Sequence, residues 1–215
     1  MSNNISDSLF DFKFYELESL HKDKTFLRQP FGDSWEEYSY GEVGIYARKL
    51  ATGLKSLGLR ENAHIGLISK NCREWIIADL AIMMAGYISV PFFANLTSKE
   101  LNNLIDFGDV ELLIVGKVED WENQKKGVPK GMPIISFPQY KGFSTVEDGY
   151  QWFDFINKQK PINKCHQPKL DDTWTIIFTS GTTGDPKGVV LTYLALDRTK
   201  VIHSQSNPLK VDFSG

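Results

Sequence analysis

Between Thr175 and Leu191 the chain reads TIIFTSGTTGDPKGVVL, an apolar, β-rich run that opens into hydroxyls and glycines and closes on a lysine. Thr179, Ser180, Thr182 and Thr183 place four small hydroxyls within five positions, each able to donate one hydrogen bond. Gly181, Gly184 and Gly188 remove Cβ atoms that would hold a ligand off the backbone. Successive bare N–H groups in such turns form anion-binding nests. Pro186 stiffens the exit, and Lys187 adds a mobile ammonium that suits a phosphate as a point charge rather than a fork. A polyphosphate is the ligand that this composition suits.

The same residues could also make an ordinary Gly/Thr hairpin turn with Lys187 as a solvated charge. A Walker A loop is a third reading, but it needs four residues between its glycine and a Gly-Lys-Ser/Thr end. Here the lysine stands between Pro186 and Gly188, so no register fits.

Thr179 to Gly188 as a whole resembles the phosphate-binding signature of the acyl-adenylate-forming (AMP-binding) enzymes: Thr/Ser-Ser-Gly-Thr/Ser-Thr-Gly, one variable residue, then Pro-Lys-Gly. The resemblance extends upstream through Ser39–Leu59, Ile65–Phe93 and Leu96–Val115 to the Asp171-Asp172 approach to the loop. It covers roughly Trp35 to Thr192, weakly between Gly116 and Gln167, and its nearest branch is the long-chain fatty-acid–CoA ligases. One departure is Tyr193, where the family commonly has a histidine; it implies altered contacts near the acid-binding end.

The resemblance implies an acid–thiol ligase that joins a fatty acid to coenzyme A through an acyl-adenylate, using ATP with Mg²⁺ and releasing pyrophosphate and then AMP. Thr179, Ser180, Gly181, Thr182, Thr183, Gly184 and Lys187 would hold the nucleotide's phosphates, with no catalytic side chain and no metal ligand expected in this segment. Family members continue well past this loop, so the expectation is an N-terminal portion of the enzyme's large domain, inactive alone and prone to self-association. Two alternatives stay open: an aryl- or amino-acid-activating relative, and a non-catalytic module that keeps the fold.

Composition narrows the classes. With 41% hydrophobic and 24% charged residues and a net charge of −3, the 215-residue chain has a globular make-up and no basic tract to mark a nucleic-acid partner. Cys72 and Cys165 lie far apart without metal-ligand spacing, which fits a reducing compartment. Cys72 falls at a helix start, where a thiol pKa can drop, although a small core residue is the simpler reading. His21, His64, His166 and His203 are equally scattered. The polar, acidic N-terminus lacks the apolar run of a signal peptide, so the expected location is cytoplasmic, with peripheral membrane contact compatible. Trp75 to Ala94 is long and apolar, but Gly86 and Pro91 divide it into a buried helix and a strand rather than a membrane span.

The elements that must position the loop follow from periodicity. Ser39 and Glu42 make a capping box before apolar residues spaced by three and four, and Gly58 stops that helix. His64–Ile68 reads as a strand; Asn71 with Glu74 opens a helix, apolar nearly all round, that ends at Gly86; Tyr87–Pro91 is again strand. Thr97 with Glu100 opens a third helix closed by Gly108, before a strand over Leu112–Val115. This βαβαβ rhythm predicts an α/β fold with a mainly parallel sheet flanked by helices. Gly116–Pro133 reads as polar and turn-rich, Ile134–Phe137 as a strand, Thr145–Asn157 as an aromatic helix and Pro161–Pro168 as a linker. Trp35, Tyr38 and Tyr40 read as core or hairpin packing. The expected organisation is an N-terminal extension over 1–34, an α/β subdomain over 35–168, and the strand and phosphate loop opening a second subdomain over 169–215.

Overall fold

The computed structural model describes residues 9–179, 187–203 and 211–212. Helix α1 (Lys13–His21) leads into a hairpin of β1 (Thr25–Phe31) and β2 (Ser34–Ser39), whose outer edge on β1 pairs with β10 (Val211–Asp212). Of the aromatics expected in core or hairpin packing, Tyr40, just past the hairpin, is buried and stacks on Phe26 of β1 at 4.4 Å, and within the hairpin the Arg28 guanidinium covers Trp35 at 4.8 Å.

A seven-stranded sheet forms the centre, in the order β7-β6-β5-β3-β4-β8-β9. Its strands are β3 (His64–Ile68), β4 (Ile88–Phe92), β5 (Val110–Val115), β6 (Ile134–Ser136), β7 (Tyr150–Gln151), β8 (Thr173–Thr179) and β9 (Lys187–Thr192). Every neighbouring pair is parallel except β8 with β9, so the mainly parallel sheet expected from the βαβ rhythm is present. Strand β3 sits at the centre with β4 on one side and β5 on the other, which makes its carboxyl end a topological switch point.

Alternation within single strands builds a core on each face. Leu112 and Ile114 of β5 join α2 (Tyr40–Ser56), α3 (Arg73–Ala85) and α6 (Trp152–Asn157) in one cluster, while Leu113 and Val115 join α4 (Ser98–Phe107) in the other. Both capping boxes form, Ser39 with Glu42 and Thr97 with Glu100, each satisfying two otherwise orphaned backbone donors. Gly86 ends α3 in the left-handed conformation at φ 78, as its place after the apolar run requires. Among the described residues no helix is long and apolar enough to cross a membrane.

Three expectations need correction. Asn71 does not cap α3: Cys72 occupies the cap without a side-chain bond, and Glu74 is spent on a buried ion pair instead. The segment after Gly116 is not merely turns, because α5 (Trp121–Gln124) turns Trp121 fully inward, and its Nε1 donates to Asp148 at 2.7 Å. The helix expected from Thr145 begins only at Trp152, because Tyr150 and Gln151 are held in the sheet against β6. Helix α7 (Tyr193–His203) follows β9 directly.

Candidate functional site

The loop expected to hold phosphate is the turn of the β8–β9 hairpin. Strand β8 runs parallel to β4 and antiparallel to β9, and its last residue, Thr179, is registered opposite Lys187, the first of β9. Both are exposed and stand at the carboxyl edge of a parallel-sheet strand, the edge where open α/β sheets bind ligands. The structure thus brings Thr179 and Lys187 together at the base of the loop. Ser180, Gly181, Thr182, Thr183 and Gly184 lie outside the described residues.

The hairpin is anchored on its lower side. Phe178 is buried among Phe92, Phe107 and the rest of the α4-side cluster. Gly188 is registered opposite Phe178, and a Cβ built there would lie 3.2 Å from both Ile176 and Phe178. Gly188 therefore has a packing reason of its own, in addition to the open backbone first assigned to it. Just before the strand, the Asp172 carboxylate accepts from the Lys169 backbone N–H at 2.8 Å, and the Asp172 carbonyl accepts from Tyr193 N–H at 3.0 Å. Those bonds hold the start of β8 to the start of α7.

Tyr193 turns inward. It is buried against Phe10 at 5.0 Å, and enclosure pushes its phenol pKa up, with Asp79 and Asp172 adding to the rise. It also lines a cavity of about 170 Å³ shared with Tyr15, Met83 and Met84.

A second polar cluster, at the switch point, was missed by reading local sequence. Glu74 is buried, with Oε1 accepting from Arg73 Nε at 2.9 Å and Oε2 from the Tyr140 hydroxyl. The Arg73 guanidinium lies over Tyr38 at 4.1 Å and pairs with Glu36 at 2.7 Å. Lys117, also buried, donates to the Asn71 carbonyl at 3.3 Å between the rings of Tyr140 and Phe143. Tyr140 is raised in pKa by burial first and by Glu74 second. These groups pair with one another, and their chemistry is that of a lock between α3, the hairpin and the segment after β6. Only the charge of Arg73 and Glu74 inside an apolar run could have flagged it.

Cys72 belongs to the same neighbourhood, and burial pushes its thiol up to about 12, overriding the lowering expected of a helix start. Among the described residues no group of His, Cys, Asp or Glu is arranged to hold a metal ion.

The chain is similar in sequence and fold to known proteins. Long chain acyl-CoA synthetase 1 of Arabidopsis thaliana is 30% identical over 169 residues, 74% of this chain and 26% of that protein. A crotonobetaine/carnitine–CoA ligase of Escherichia fergusonii is 30% identical over 161 residues, 74% of this chain and 31% of its own length. The chain therefore spans about a quarter to a third of the length of these curated relatives. Among solved structures, an anthranilate CoA ligase in complex with anthranoyl-AMP shares the fold with a TM-score of 0.73 at 22% identity, covering 88% of this chain and 36% of that one. The sequence pattern of the AMP-binding enzyme family matches residues 16–208. With that match spanning both the sheet and the β8–β9 hairpin, the chain belongs to the AMP-binding enzyme family.

Proposed function

We propose that this chain is the N-terminal part of an ATP-dependent long-chain fatty-acid–CoA ligase, and that the β8–β9 turn holds the β- and γ-phosphates of the nucleotide. The observation that carries the reading is the pairing of Thr179 with Lys187, which sets a hydroxyl and an ammonium side by side at the base of the loop. From the sequence, Ser180, Thr182 and Thr183 would add hydroxyls and Gly181 and Gly184 open backbone N–H groups. This donor set fits a polyphosphate. Mg²⁺ would arrive as the nucleotide's counter-ion.

A carboxylate is a poor acyl donor because its leaving group would be oxide. ATP supplies the adenylyl group that replaces oxide with AMP as the leaving group, and the thiol of coenzyme A then takes the acyl group. The part of this chain is binding and orientation. Lys187 and the loop hydroxyls neutralise charge on the departing pyrophosphate and hold the α-phosphorus facing the acid, a positioning and electrostatic role.

A second reading changes the acid alone. The crotonobetaine/carnitine–CoA ligase matches at the same identity as the long-chain synthetase, which favours keeping small acids in the test. Pyrophosphate exchange by the whole polypeptide that carries these residues separates the two, with a long-chain fatty acid, carnitine and benzoate as the panel. Exchange with the fatty acid is expected. Exchange with carnitine or benzoate alone moves the assignment to the second reading, and no exchange with any acid overturns both.

A further inference from the structure

The β8–β9 hairpin joins the central sheet through a short seam. Strands β3 and β4 register residue by residue from His64 opposite Ile88 to Ile68 opposite Phe92, and β8 runs with β9 from Thr175 opposite Leu191 to Thr179 opposite Lys187. Between β4 and β8, among the described residues, the registered pair is Ser89 with Thr175 alone. Both are buried, and the Thr175 hydroxyl donates to the Ser89 carbonyl at 2.9 Å. At this seam a side chain thus supplies a cross-strand bond of the kind that backbone ladders supply elsewhere in the sheet.

Apolar packing holds the rest of β8. Ile176 and Phe178 lie against the α4-side cluster, where Phe178 meets Phe92 of β4 and Phe107 of α4. Such packing presses the hairpin to the sheet but has no direction, so it does not fix where β8 stands along β4. A hydrogen bond is directional and does fix it. Register matters here, because a slip of one residue would turn buried Phe178 out and exposed Ile177 in. Thr179 lies further along the same strand, about 13 Å beyond the pair at about 3.3 Å per residue, so a tilt of about 5° at the pair displaces it by about 1 Å.

We infer that Thr175 is a positioning residue for the phosphate loop, its hydroxyl fixing the hairpin on β4 at Ser89. The consequence for the loop rests on the assignment of the β8–β9 turn to phosphate binding; the attachment of the hairpin does not. Thr175 is registered opposite Leu191, at the far end of the hairpin from Lys187, so it acts through the strands rather than on a ligand. Thr179 and Lys187, the two ends of the loop, both ride on the strand pair that Thr175 attaches. Displacements of about 1 Å caused far from a reacting group can cost a reaction about a hundredfold, which is the sense in which a remote hydroxyl matters.

The test is amide hydrogen exchange of the full chain in wild type, Thr175→Val and Thr175→Ser, comparing Ile176–Thr179 and Lys187–Val190 with Ile65–Ile68 of the central strand. Valine keeps the shape of threonine without the hydroxyl, and serine keeps the hydroxyl without the methyl. Thr175→Val is expected to speed exchange of the hairpin amides about five- to tenfold and leave those of β3 within about twofold. Thr175→Ser should restore the hairpin to near wild-type protection. Hairpin protection unchanged by valine, an equal loss in β3, or serine behaving like valine would overturn the inference. Should Thr175→Val fail to fold, Thr175→Cys, whose thiol is a weak donor in the shape of serine, takes its place with the same expectations. MgATP titrated into the same proteins reads the loop separately, with binding about three- to tenfold weaker in Thr175→Val than in wild type and Thr175→Ser. Equal affinity in all three overturns the positioning of the loop. No binding in wild type would sink phosphate binding itself, while the exchange rates still decide whether Thr175 fixes the hairpin.

Discussion

Glu18 and Arg48 face each other in a two-pronged ion pair, with 2.6 Å at each prong, that clamps α1 onto α2. The pair is partly buried, and its fit depends on Gly44: a Cβ there would stand 1.9 Å from Glu18 Oε1 and 2.7 Å from Arg48 Nη1. Gly44→Ala is therefore expected to destabilise the fold by about 1–2 kcal/mol, overpacking outweighing alanine's better helix propensity. In Glu18→Ala, where the obstructing carboxylate is gone, the same glycine change should become neutral or stabilising. Urea unfolding of the four proteins in the cycle checks this, and equal effects of Gly44→Ala in both backgrounds would refute it.

Tyr140 and Glu74 are separated by 66 residues and joined by a buried hydrogen bond. Tyr140→Phe leaves one oxygen of a buried carboxylate without its donor, at an expected cost of about 2 kcal/mol. Because Arg73 still holds the other oxygen, the fold should survive. Thermal unfolding within error of wild type would show that the switch-point lock contributes nothing.

What could be read in advance, and what could not, divides along this same distinction between local and distant partners. Ser39 with Glu42 and Thr97 with Glu100 complete their bonds within four residues, so their types and spacing carry the whole geometry. The apolar run of β3 and the glycine after α3 are similarly self-contained. Glu74 has the spacing of a cap, yet its partners are Arg73 and the distant Tyr140, and tertiary pairing wins over capping. Trp121 was hidden in a polar stretch because its burial depends on α4-side residues far along the chain. At the loop, composition and order marked the turn, while the Thr179–Lys187 register and the packing duty of Gly188 needed the sheet.

The two capping boxes give a further expectation. Ser39→Ala and Thr97→Ala should each cost about 1 kcal/mol, and the double variant their sum, because the sites share no partner. Denaturant midpoints measure all three; a single change without effect would mean that its helix start is held by packing alone.

The two thiols should differ sharply. Cys72 is buried with its pKa pushed up to about 12, whereas Cys165 is partly exposed. A thiol reagent near neutral pH is expected to label Cys165 in the native protein and Cys72 only after unfolding, since the thiolate is the reactive form. Peptide mapping of the labelled chain reads the outcome directly, and native labelling of Cys72 would contradict its placement.

The phosphate loop is most directly tested by calorimetric titration of MgATP into the wild-type chain and Lys187→Ala, with circular dichroism to verify that both are folded. Lys187 is exposed at the start of β9, so its truncation removes an ammonium without opening a cavity. Loss of a charge-assisted contact of about 1.5–3 kcal/mol predicts binding weaker by roughly ten- to a hundredfold. Equal MgATP affinity in the two proteins, or none in the wild type, would contradict the assignment of this turn to the nucleotide's phosphates.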